Sequence, residues 1–284
     1  MSMIKTLDAS MLGIKHPVEA LIGPAAAAGF QAISPGMDLL NDPDRLAKAN
    51  ELRKEAGLSW GLLPMPADFY FWELSDEDFE KGLEKLRRFA ELGQKYGIRY
   101  AYNHVWPTSF REFDENFDWH VKRVKAVSEL LASYGIRYGL EFLGPHELRK
   151  WQPHEFVHSL AGVLSIADAA GGFAGIAFDC YHWYTSGEKE KDVKMIELMP
   201  NRLVCMHVND APAGVAVEDQ KDMQRRLPMD TGVINSRAIF ERFTRVNPDA
   251  LYMIEPFEPE RTRFGKMSAE EAAKEAAAAM ARLF

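Results

Sequence analysis

Four apolar runs in this sequence each lead into a residue that can hold a metal ion. Arg-Tyr-Gly-Leu leads to Glu141, Gly-Ile-Ala-Phe to Asp179, Leu-Val-Cys-Met to His207 and Leu-Tyr-Met-Ile to Glu255. Acidic residues are poor strand formers and are almost never buried without a partner. Three carboxylates gathered in one place would repel each other and take up protons unless a cation joined them. With one imidazole they form a hard, oxygen-rich donor set. It suits Mn²⁺ first, then Mg²⁺, with Co²⁺, Fe²⁺ or Zn²⁺ as alternatives. Such a cation polarises a carbonyl and steadies the enediolate left when a neighbouring carbon loses its proton. Glu141 and Glu255 are therefore catalytic candidates as well as ligands, since a carboxylate near that carbon can take the proton.

These side chains share a rim only if their runs are neighbouring parallel strands. Eight short β-rich runs recur, at residues 5–10, 30–35, 59–66, 98–105, 136–144, 175–181, 203–210 and 251–257. Near-continuous apolar runs fit parallel strands covered on both faces. Helical patterns separate them. From Ser75 to Tyr96, Ser75 and Asp78 make an N-cap signal, and Phe79, Leu83, Leu86, Phe89 and Ala90 line one face. Gly97 supplies the stop. The helix expected from Asp114 to Tyr134 has the same design and stops at Gly135. The last, from Ser268 to Phe284, is Ala-rich and opens on a capping pattern. The string Tyr-Gly-Ile-Arg-Tyr occurs at 96–100 and 134–138, marking one helix–turn–strand junction twice. Strict alternation predicts an α/β fold, a (β/α)8 TIM barrel forming one domain over 1–284, with its site at the C-terminal strand ends. An open doubly wound sheet would show a Gly-rich turn after its first strand. Ser-Met-Leu-Gly-Ile-Lys-His-Pro, at 10–17, is not one.

Bulk properties narrow the partners. The chain has 284 residues, a net charge of −8 and a pI near 5.6. An acidic surface repels phosphate backbones, so no nucleic-acid partner is expected. Cys180 and Cys205 lie in apolar runs and read as buried free thiols of a reducing compartment. The N-terminus lacks a signal-peptide core, and no apolar run reaches the ~18 residues of a membrane span. A cytoplasmic protein without a membrane partner is expected.

The motifs Leu-Glu-Phe-Leu-Gly-Pro-His-Glu, Phe-Asp-Cys-Tyr-His, Met-His-Val-Asn-Asp and Met-Ile-Glu-Pro-Phe, met in this order, resemble those of the xylose isomerase-like barrels grouped as sugar phosphate isomerases/epimerases. That group includes ketose 3-epimerases, hydroxypyruvate isomerase and inosose dehydratase. The resemblance covers essentially the whole chain. It implies Glu141, Asp179, His207 and Glu255 as the metal ligands, Glu147 and His182 as substrate-binding residues, and a carbohydrate substrate. It implies an isomerase or epimerase acting beside a carbonyl, or a dehydratase or lyase eliminating from an inosose or 3-keto-glycoside. Dimers or tetramers are implied as well. The epimerases carry an Arg six residues after the ligand His, where this chain has Ala213. Arg225 or Arg226 is the substitute, and Arg226 is taken here as substrate-binding.

Rim loops complete the reading. Residues 67–75 place Phe69, Tyr70, Phe71 and Trp72 in an exposed-looking loop, and Trp106 and Trp183 follow strand ends. Aromatic faces stack on the C–H faces of sugars, so both tryptophans are expected to bind substrate. His104, His146 and His154 are read as structural, with His146 the best spare acid or base. The aromatic set favours a neutral polyol or glycoside over a phosphate. Two rivals are weaker. A related abasic-site endonuclease needs a three-zinc cluster with more histidines and a basic surface. A sugar-binding barrel without catalysis needs no such ligand set.

Overall fold

The computed structural model describes residues 3–187 and 189–284. Its parallel strands are β1 Ile4–Leu7, β2 Ala32–Ile33, β3 Ser59–Trp60, β4 Tyr100–Val105, β5 Arg137–Phe142, β6 Ala174–Asp179, β7 Leu203–Val208 and β8 Leu251–Ile254. They lie in the order β3-β2-β1-β8-β7-β6-β5-β4. A parallel bridge from Leu62, just past β3, to Tyr100 of β4 closes the ring. A helix follows each strand, and together they surround the sheet: residues 18–27, 43–55, 76–96, 113–133, 160–169, 190–198, 236–246 and 269–281.

Local chemistry sets the helix ends. Ser75 accepts from Asp78 N, and Gly97 at φ 80° ends that helix, because only glycine adopts the left-handed conformation freely. Ser268 and Glu271 form a complete capping box. Two expected strands are cut short by side chains. The run at 5–10 stops at Leu7 because Asp8 Oδ1 accepts from Ser10 N and Met11 N and starts a short helix. The run at 30–35 stops at Ile33 because Leu62 N donates to Ser34 Oγ and not to a backbone carbonyl.

The main core lies between strands and helices. Inside the ring, Met11, Leu62, Ala177, Cys205, Leu251 and Met253 form a second apolar cluster. Outside the ring, Thr108–Ser109 pairs antiparallel with His154–Glu155, joining the loops after β4 and β5, and Phe156 N donates to Pro107 O at 2.7 Å. Among the described residues no helix is long and apolar enough to cross a membrane.

His120, on the helix at 113–133, is buried against Phe156 and Tyr70. Its Nδ1 donates to Asn116 O, and Nε2 has no partner. Burial drives its pKa from 6.5 down to about 3. Above pH 6.5 both states are neutral and the group contributes nothing. Below it the unfolded chain takes a proton that the folded chain refuses, so stability falls as pH drops toward 3. Between pH 7.5 and 5 the loss should approach about 2 kcal/mol. Denaturant titrations of the wild type and H120Q should show the slope flattened by about one proton in the variant.

Candidate metal centre

Glu141 and Asp179 sit at the C-terminal ends of β5 and β6, His207 one residue before the end of β7, and Glu255 one residue past β8. Register fixes the neighbours. Asp179 lies opposite His207, and Glu255 N donates to Val208 O. One ligand atom from each of the four residues lies within 4.8 Å of the others. Glu141, Asp179 and His207 are fully buried and Glu255 is 6% exposed. His207 Nδ1 faces the carboxylates, 2.9 Å from Glu141 Oε1 and 3.5 Å from Glu255 Oε2. Its Nε2 points at Cys205 Sγ, 3.7 Å away.

The donor set calls for positive charge. Burial raises the Glu255 carboxyl to about 7, the charges of Glu141 and Asp179 add to this, and His207 and Arg225 oppose it. On Glu141 burial is outweighed by His207 and His104, which hold its carboxyl well below the usual range. His207 is raised well above its ordinary value: burial lowers it, but Glu141 and Glu255 more than compensate. Glu141 Oε2 is buried, with His104 Nε2 3.1 Å away. Three acids and an inward imidazole nitrogen fit a divalent cation.

Arg225 is the main addition to the reading from sequence. Its Nη1 lies 3.1 Å from Asp179 Oδ2 and 3.0 Å from Glu255 Oε2. Nη2 reaches Asp222 Oδ1 at 2.7 Å and His182 Nε2 at 3.1 Å. The guanidinium carbon sits 4.5 Å from the Phe257 ring centroid and 5.1 Å from that of Tyr181. Arg226, the position chosen from sequence, pairs its backbone with Asp210 and sends its side chain toward Glu260, 3.8 Å away. Alternation along an extended segment puts adjacent residues on opposite sides, so only one of the pair can enter the site.

The other expected contacts fall at different depths. His182 is 1% exposed, with Gly144 N donating to Nδ1 and Arg225 at Nε2, so Arg225 stands between His182 and the cluster. Gly144 permits this approach, since a methyl there would collide with His182 O and Thr185 Oγ1. Glu147 accepts from Asp222 N at 2.7 Å and pairs with Lys221, steadying the segment that leads to Arg225. Trp106 Nε1 donates to Asp68 Oδ2, and its ring stacks on Trp151 at 5.6 Å. Trp183 does not reach the cluster. Its ring packs against Phe178, and Nε1 donates to Lys189 O. The loop at 67–75 is less exposed than expected: Phe69, Tyr70 and Trp72 are buried, with Tyr70 OH bonded to Tyr138 OH. Cys180 and Cys205 are buried and free.

Two more residues complete the site. Asn209 Nδ2 donates to Asp179 Oδ2 at 2.7 Å and to Glu255 O at 3.3 Å. His104, read from sequence as structural, is paired with Glu141 in the strand register. Burial would lower its pKa, but hydrogen bonding and charge from Glu141 carry it up to about 9.

The sequence model of the xylose isomerase-like TIM barrel matches residues 22–283. The chain belongs to that family. Its fold is shared with a xylose isomerase domain protein from Alicyclobacillus acidocaldarius, 25% identical, with a TM-score of 0.82 over 99% of this chain and 98% of that one. The IolI protein with a bound zinc atom is 16% identical, TM-score 0.78, with the same shares covered. D-psicose 3-epimerase with D-tagatose, from Clostridium cellulolyticum H10, is 12% identical, TM-score 0.72, again covering 99% and 98%. No curated protein sequence matches the chain.

His182 braces Arg225, so H182A should loosen the guanidinium without touching a ligand. KM should rise about tenfold, the scale of one lost hydrogen bond to a charged group. Metal content should stay unchanged. Parallel steady-state kinetics and metal analysis check this, and metal loss in H182A would place His182 among the ligands.

Proposed function

We propose that this family member is a divalent-metal-dependent isomerase or epimerase that removes a proton beside the carbonyl of a ketose or related keto-sugar. The carrying observation is the convergence of Glu141, Asp179, His207 and Glu255 within 4.8 Å. A bound cation, Mn²⁺ by the hardness of the donors, would supply Lewis-acid polarisation of the carbonyl.

The protein's own groups supply the rest. Glu141 and Glu255 come from β5 and β8 and can face a substrate from two sides. One takes the carbon-bound proton, and the electron pair left behind passes to the carbonyl oxygen. The other returns a proton to the opposite face, inverting the centre, or to the neighbouring carbon, moving the carbonyl. Arg225 fixes Glu255 Oε2 and Asp179 Oδ2, so the carboxylates are placed before substrate arrives. Burial of the cluster keeps water from competing for the proton. The reading includes a cytoplasmic setting and a dimer or tetramer.

The test is turnover in D₂O of Mn²⁺-loaded protein with ketoses and inososes. Deuterium should enter product or recovered substrate at the carbon next to the carbonyl. Release of water or an aglycone would mark an eliminating lyase. Turnover without solvent deuterium at any carbon would point to hydride shift and overturn the proposal.

A further inference from the structure

Asp210 lies two residues past β7, fully buried, at the end of the Met-His-Val-Asn-Asp motif that supplies His207. Its carboxylate gathers backbone donors. Oδ1 accepts from Ala211 N at 2.8 Å and Ile234 N at 2.9 Å, and Oδ2 from Thr231 N at 2.9 Å and Gly232 N at 2.7 Å. All but the first of these donors belong to the turn that follows Arg225 and Arg226. The main chain of Asp210 also pairs with Arg226 in both directions, Asp210 N donating to Arg226 O at 3.0 Å and Arg226 N to Asp210 O at 2.8 Å. One residue thus holds the segment both at Arg226 and at the turn behind it.

This clamp decides which arginine meets the cluster. Adjacent residues of an extended segment face opposite sides, and a slip of one residue would exchange them. With its backbone pinned to Asp210, Arg226 sends its side chain toward Glu260, and Arg225 is turned to Asp179 Oδ2 and Glu255 Oε2. On the other flank Phe257 N donates to Arg225 O at 3.2 Å. We propose that Asp210 is a positioning residue for the reaction. It sets the phase of the segment at 225–234, and so aims the Arg225 guanidinium at Glu255, one of the two carboxylates proposed to move the proton. The catalytic part of the inference rests on the proton-abstraction reading.

D210N keeps the size of the side chain and one acceptor oxygen, but sets an NH2 against two of the four N–H donors. Phenylglyoxal, which modifies accessible guanidinium groups, is mapped by peptide mass without substrate. The Arg225 side chain is 2% exposed, and that of Arg123, 3% exposed on the helix at 113–133, is the buried control. Arg225 should be modified about tenfold faster in D210N than in wild type, the scale of one or two lost hydrogen bonds, with Arg123 unchanged. T231A removes the Thr231 Oγ1 bond to Ala211 O, leaves all four donors in place, and should keep Arg225 closed. In D₂O, with Mn²⁺-loaded protein and D-fructose, D-tagatose or D-psicose, kcat for exchange should fall about a hundredfold in D210N, the scale of a small misplacement, with KM and metal content little changed. Added to R225M, D210N should cost less than about twofold more, because the group it positions is already gone. Equal losses from D210N in both backgrounds would overturn the inference. So would wild-type Arg225 reactivity in D210N, or Arg123 modified as fast as Arg225, which would make Asp210 a general prop of the barrel. No label from the wild type would remove the proton-abstraction reading, and the arginine modification would still decide whether Asp210 holds Arg225.

Discussion

Exchanging Asp179 for Asn is expected to empty the metal centre and abolish turnover while the barrel stays folded. The two carboxylate oxygens have separate roles. Oδ1 accepts from His182 N at 2.8 Å and caps the short helix at 180–185. Oδ2 faces the cluster, with Asn209 and Arg225 donating to it. Asn caps a helix as well as Asp does, so the local fold survives. With the amide oxygen turned to His182 N, the NH2 is set against the Asn209 and Arg225 donors, and in either orientation the carboxylate charge is gone. Metal affinity should fall at least about a hundredfold, since even outer partners of a ligand are worth 10–100-fold. Metal per chain after dialysis, circular dichroism and turnover measure the three parts. A D179N protein that binds metal as tightly as wild type would place the ion elsewhere.

Glu255→Gln should suppress solvent exchange far more than substrate binding. The glutamine keeps the shape of the side chain, and its amide oxygen can still accept from Arg225. What disappears is a base. Loss of a positioned general base costs about 10²–10⁴-fold in rate. Deuterium incorporation should fall within that range while the Kd for substrate changes only a few-fold. Because Glu255 is also a proposed ligand, metal content is read in parallel. Loss of exchange with metal retained assigns the proton to Glu255. Full exchange in the variant would exclude it, and Glu141 would become the sole candidate.

The convergence of Glu141, Asp179, His207 and Glu255 was legible from sequence because strand ends are where a barrel places its chemistry, and apolar runs marked those ends. Arg225 was legible only as one of two neighbours, since alternation between Arg225 and Arg226 depends on the phase of a loop that no periodicity announces. The contact between His104 and Glu141 was not legible for a sharper reason. The repeated Tyr-Gly-Ile-Arg-Tyr aligns Tyr100 with Tyr138, which would set Asn103 beside Glu141. In the barrel Tyr100 lies opposite Arg137, so His104 takes that place. A shear of eight over eight strands displaces each neighbour by about one residue, and one residue reverses the face. Equivalent positions in successive units are therefore not lateral neighbours. The packing of Trp183 on Phe178 was not legible because an aromatic after a strand end can turn outward to a ligand or inward to seal a helix, and no periodicity announces which.

The small ribbon outside the barrel has a kinetic consequence. It ties the loop that carries Trp106 to the loop that carries Glu147 and Trp151. Two linked loops cannot swing independently, so this wall of the mouth behaves as a jamb and not as a door. A substrate meets it already built, and the disorder of both loops is surrendered once, at folding, and not at each encounter.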